Sequence, residues 1–195
     1  MAIDRINTGL SGVQPGGMAK LIPVSIAKGA SGTATVDSSG TVTFSGTESI
    51  SLNDIFSANY DVYFITSTLT GSTTNAYAQL RLRASNSDAS GSDYVWGFIA
   101  TNSGGTSFTL AGSGATSSNV TRPSTTDSVV SFTITNPFLA RKTIWSGTTS
   151  YNDGATVTPA AAMGGAHSLT NSYTGFTLLA ASGTITGNIR VYGYA

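Results

Sequence analysis

The chain has no cysteine, one histidine, one glutamate and little charge of either sign: nine Lys plus Arg and nine Asp plus Glu in 195 residues, with a net charge of zero. Without Cys, no disulfide can staple the fold and no thiolate zinc site can form. Charged residues make up 9% of the chain, against roughly a quarter in an ordinary soluble domain. The nine basic residues are scattered and balanced, so no stripe exists to neutralise phosphates and no nucleic-acid partner is expected. No apolar run approaches the roughly eighteen residues of a membrane helix, so no membrane insertion is expected. The opening residues Met1-Ala2-Ile3-Asp4-Arg5-Ile6-Asn7 show no basic stretch followed by an apolar one, and no secretory signal is read there.

Ser, Thr, Asn and Gly fill nearly half the sequence. All four are weak helix formers, and strong surface helix formers such as Glu, Lys and Gln are scarce, which excludes a helical protein. Disorder is excluded from the other side, because 39% hydrophobic residues with eight Phe, eight Tyr and two Trp is too much apolar material for an unfolded chain. The length suits one domain with a real core.

Residues 1–18 contain few apolar side chains and several glycines, and read as an extended N-terminal anchoring arm. From residue 19 to 195 the texture is that of one all-β domain, an antiparallel sandwich or barrel, with short β-like runs punctuated by turn residues about every eight to twelve positions. The candidate strands are 19–26, 32–36, 41–44, 48–52, 60–69, 76–84, 94–100, 107–110, 128–135, 142–149, 175–180 and 184–194. Alternation assigns faces in several: Ala78, Leu80 and Leu82 oppose Gln79, Arg81 and Arg83, and Val130, Phe132 and Ile134 oppose Ser131, Thr133 and Thr135. In the last run Ile185, Ile189 and Val191 oppose Arg190, Tyr192 and Tyr194. Residues 33–44 read as a hairpin turned by Asp37 and Gly40. The stretches 85–92, 102–106, 111–128 and 152–166 read as loops, with one helical turn at Ala160-Ala-Ala-Met163.

Chemistry is hard to find. His167 is the only imidazole, and no G-x-S-x-G elbow accompanies it. Ser25-Ile26-Ala27-Lys28 matches S-x-x-K, yet it lies on a β-like run without companion motifs. Glu48, Asp54, Asp61, Asp88, Asp93, Asp127 and Asp153 sit in no glycosidase or calcium-loop pattern, so neither an enzyme nor a metal or cofactor site is expected. Exposed aromatics could stack on sugar faces. Tyr94, Trp96 and Trp145 are the candidates for that, with Tyr151, Tyr173, Tyr192 and Tyr194 beside them. Packing is the competing role for the tryptophans, and subunit contact for the tyrosines.

Two stretches carry a resemblance. Phe56-Ser-Ala-Asn-Tyr-Asp-Val-Tyr63 following Val42–Leu52, and the closing Gly175–Tyr194, resemble a family of small jelly-roll-type virion proteins of tailed bacteriophages. The resemblance runs from about Thr33 to the C-terminus. It implies a jelly-roll sandwich and a non-enzymatic particle component, a tail-fibre or tail-tip module or a capsid decoration protein, often trimeric, assembled in the host cytoplasm and located in the virion. On this reading Ile3, Ile6 and Leu10 of the arm and Tyr192 and Tyr194 of the last strand make assembly contacts with other copies in a homotrimer or with other virion proteins. Host surface polysaccharide is the alternative partner.

Overall fold

A computed structural model describes residues 17–74, 76–152 and 157–194. Sixteen strands follow one another without a helix among the described residues. They are β1 Met18–Lys20, β2 Ser25–Lys28, β3 Thr33–Val36, β4 Val42–Thr47, β5 Ser49–Asn53, β6 Val62–Gly71, β7 Ala78–Ala84 and β8 Ser87–Asp88, then β9 Tyr94–Thr101, β10 Ser107–Ala115, β11 Ser118–Thr121, β12 Ser128–Thr135, β13 Thr143–Asn152, β14 Val157–His167, β15 Gly175–Ala180 and β16 Ile185–Tyr194.

The strands form two antiparallel sheets. The larger runs β10-β9-β14-β13-β12-β6-β16-β4-β3, with β1 also on β16, and the smaller runs β11-β7-β15-β5-β2, with β8 on β7. Within them lie the facing quartets β4-β16-β6-β12 and β5-β15-β7-β11, and the chain changes sheet at each step from β4 to β7, from β11 to β12 and from β15 to β16. That interleaving of two Greek keys is a jelly roll. Two insertions, β9–β10 and β13–β14, widen the larger sheet on its β12 side.

Leu80, Leu82, Val130, Phe132 and Ile134 are buried as alternation placed them. Tyr63, Ile65 and Leu69 of β6 and Val130, Phe132 and Ile134 of β12 are buried opposite Ile50, Leu52, Leu80, Leu82, Phe176 and Leu178 of the smaller sheet. Each such side chain contributes about 1.5–3 kcal/mol on leaving water. Phe56 joins the layers, its ring edge-on to Tyr63 at 4.6 Å and stacked on Phe176 at 5.8 Å. In the hairpin, the Asp37 carboxylate accepts from Ser39 N–H and Thr41 N–H, and Gly40 takes a φ of 81° that a side chain would resist.

Three expectations need correction. The run 19–26 is two strands in different sheets, because the chain crosses the sandwich edge at Pro23, which has no N–H to give a ladder. The region 111–128 is not one loop: β10 runs on to Ala115, and β11 closes the smaller sheet. Ala160–Met163 form no helical turn: they lie in β14, which pairs with β13 and, from Ala160 on, with β9. Gly165 is required there, since a Cβ on it would lie 2.5 Å from the Val95 carbonyl oxygen and 2.7 Å from the Trp145 ring. Packing overrides local propensity. Residues 1–16, most of the expected arm, fall outside the described residues; Met18 begins β1.

Candidate contact face

Register fixes which side chains line the outer side of the larger sheet. Across one row Arg190 (β16), Thr66 (β6), Ser131 (β12), Thr148 (β13), Ala162 (β14), Ile99 (β9) and Thr109 (β10) are successive partners. The next row reads Tyr192, Phe64, Thr133, Ser146, Gly164, Gly97 and Ala111. The six neighbouring strands β6, β12, β13, β14, β9 and β10 contain no Lys, Arg, Asp or Glu at any position. Charge returns only at Arg190 and, on β1, at Lys20, whose ammonium donates to Ser39 and Thr41 hydroxyls.

The face is uneven. Ile99 is 66% exposed, Ile144 55% and Val129 51%. Beside Ile99 lies a depression of about 450 Å³ in which Gly97, Gly164, Ala111 and Ala162 leave room that larger side chains would fill. It shares Ile99 and Ala162 with a second, of about 490 Å³, bounded by Thr148, Ser150 and Ala160. A third, of about 290 Å³, continues from Ser150 to Val129 and Val157. Together they cross β10 to β12 as one trough.

The aromatic candidates separate. Tyr94 and Trp145 are buried, which corrects their reading as sugar platforms. The Tyr94 hydroxyl accepts from Leu82 N–H and donates to the Ala89 carbonyl, and burial raises its pKa. Trp145 Nε1–H donates to Ser118 Oγ at 3.1 Å. Tyr151 and Tyr173 are buried as well. Trp96 is half-buried on the inner side of β9, edge-on to Phe98 at 6.3 Å. Its ring lies against Gly112, whose added Cβ would come within 2.5 Å. Tyr192 and Tyr194 do reach the outer face, Tyr192 6.3 Å from Phe64 and Tyr194 opposite Met18 and Val62. Ile3, Ile6 and Leu10 lie outside the described residues.

The possible catalytic groups do not converge. His167 is fully buried, its Nδ1 2.9 Å from the Tyr173 hydroxyl. Ser25 accepts from the Asn53 amide, whereas Lys28 donates to the Gly29 and Ser31 carbonyls. Glu48 accepts from Ser31 N–H and its hydroxyl, which hold its carboxyl below the usual range. Asp88 is paired with Arg81 and Arg83. Among the described residues no three His, Asp or Glu come together as metal ligands.

Sequence reasoning gave Ile99 and Gly97 no role and took Ala162 and Gly164 for parts of a turn. The signal was the run Ala160–Ala166, free of any charged or hydroxyl side chain, which reads as a turn until it is seen as a strand.

No family model matches the chain, and no curated protein matches its sequence. Among solved structures it is similar to the botulinum neurotoxin serotype G binding domain, at a TM-score of 0.29 and 9% identity over 87% of this chain and 43% of that one. Another structure of the type G receptor binding domain gives 0.30 and 9% over the same shares. The receptor binding domain of botulinum neurotoxin mosaic serotype C/D gives 0.27 and 10% over 85% and 42%. The chain spans less than half the length of these chains, and likeness at this level extends to neither ligand nor activity.

Proposed function

We propose that the chain is a contact module, a non-enzymatic jelly-roll component of a tailed-phage virion that works by packing against other proteins. The observation that carries this reading is the outer side of the larger sheet, six adjacent strands without a charged residue. A sheet face that meets water permanently is ordinarily studded with charge, which also discourages association. The virion assignment draws on the resemblance of Phe56–Tyr63 and Gly175–Tyr194 to phage virion proteins; residues 1–18 serve as the anchor to a neighbouring particle protein. The test is composition of purified particles made from the gene's own genome. The chain is expected in them, and a variant with Ile3, Ile6 and Leu10 changed to Ser is expected to fold but be left out. A chain abundant in cells and missing from particles overturns the reading.

One observation favours a second reading, recognition of host surface glycan. Phe64 and Tyr192 lie side by side on the outer face next to Arg190, and apolar rings flanked by a fork of donors suit a sugar face and its hydroxyls. Glycan-array binding that Tyr192→Ala abolishes and Trp96→Ala spares would support it, and silence on the array would end it.

A further inference from the structure

We propose that the trough beside Ile99 is where a second copy of this chain docks, face to face and about a two-fold axis. The inference deepens the contact-module reading and rests on it. Three observations select a second copy as the occupant.

The first is area. Six strands about 4.8 Å apart, each offering about eight residues at about 3.3 Å rise, make a charge-free surface of roughly 700 Å². A standard stable interface needs roughly 800 Å² from each partner, so the patch supplies most of one half. The second is charge. A face without ionised groups meets its own image without like-charge repulsion, and Arg190 falls at the rim, where interfaces keep their charge.

The third is shape. Ile99 projects at 66% exposure beside the depression where Gly97 and Gly164 present no side chain. Projection and depression lie on the same patch, which is what an isologous contact requires: residue i of one copy meets j of the other, and j meets i. Ile99 of each copy then enters the Gly97–Gly164 depression of its mate, and the two sheets stack as layers of a sandwich do, about 10 Å apart. A Cβ built on Gly97 meets nothing nearer than the Leu110 carbonyl oxygen at 3.8 Å, so the fold itself leaves room for a side chain there.

The test uses the full chain and its lack of cysteine. Sedimentation over a concentration series is expected to show dimer, and Ile99→Arg and Gly97→Val are each expected to raise its dissociation constant at least about tenfold, as one buried anchor requires. Their circular dichroism and melting should match the wild type. Ile99→Cys should be joined into a covalent dimer by a short bifunctional maleimide, the paired Cα atoms lying beyond the reach of a disulfide, whereas Ala27→Cys, exposed on the smaller sheet, should not. A monomer at every concentration, a dimer or trimer indifferent to both face variants, or cross-linking through Ala27→Cys would each overturn the proposal. So would an Ile99→Cys chain that stays unlinked because its own residues 1–16 cover the trough. Dimerisation through another surface with normal entry into particles would end this inference and leave the contact-module reading standing. Ile99-dependent dimerisation without entry into particles would sustain the inference and end the virion assignment.

Discussion

His167 shows how one residue answers to its surroundings. It projects from β14 into the core, edge-on to Tyr94 at 4.6 Å and to Tyr173 at 5.1 Å. Charging an imidazole there forfeits its hydration, so burial lowers its pKa below the ordinary 6.5, opposed in part by the charge of Asp93. In the unfolded chain the ring titrates at its ordinary value. Between the two values the unfolded state therefore holds more protons, and stability rises with pH across that window. It is fully present above about pH 6.5 and drains away as pH falls towards the lowered value. Because His167 is the only His and carboxylates titrate lower, the window from about pH 7 to 5 isolates it. Urea unfolding across that range should show the wild type losing stability, and His167→Gln should flatten the slope whatever its absolute stability. A wild type that is flat there, or a variant with the wild-type slope, refutes the account.

At the scale of elements, β8 is two residues long, and the Arg83 side chain reinforces its short ladder with β7. The Arg83 guanidinium, on β7, donates to Asn53 Oδ1 and to Thr177 Oγ1, each at 3.0 Å, to the Asp88 carboxylate and to the Asn86 carbonyl. Thr177 donates in turn to Asp88 at 2.7 Å. Arg83 is buried while Asp88 keeps part of its solvent, so removing the acid strands a cation more than it bares an anion. Asp88→Leu should cost about 2 kcal/mol. Arg83→Leu combined with Asp88→Leu should cost less than the two singly, by about 1 kcal/mol or more. Additive urea midpoints would dismiss the coupling. The strand carrying Arg83 was legible: β7, β12 and β16 each keep one side in the core, and period-two alternation recorded it. β11 and β14 were not, for opposite reasons. Ser118, Asn119, Val120 and Thr121 are buried at every position, with hydroxyls bonded to Trp145 and Thr149, so no alternation exists to read. β14 keeps Gly at 165 because Trp145 and the backbone of β9 press on it, and composition alone made that run a turn. The site divided the same way. Alternation put Tyr192 and Tyr194 on the outer face, but could not tell that Tyr94 and Trp145 face the smaller sheet, since that depends on which layer covers them.

For the molecule as a whole, the sparseness of charge becomes a statement about forces. Among the described residues two ion pairs converge on Asp88, from Arg81 and Arg83; most of the cohesion beside them is apolar burial, hydroxyl pairs such as Ser51 with Thr177, and backbone ladders. None of these is screened by dilute salt, whereas Coulomb terms between exposed charges fade once the Debye length shrinks below their separation. The net charge is zero, so no global repulsion exists for salt to relieve. The folded chain should therefore be nearly indifferent to ionic strength. Urea unfolding between about 0.02 and 0.5 M sodium chloride should move by no more than about 0.5 kcal/mol, the scale of one exposed ion pair. Asp88→Leu, lacking even that cluster, should move less than the wild type. A larger shift of either sign would mean that charge organises this fold after all, and would remove the ground for treating its neutral face as a surface built for contact.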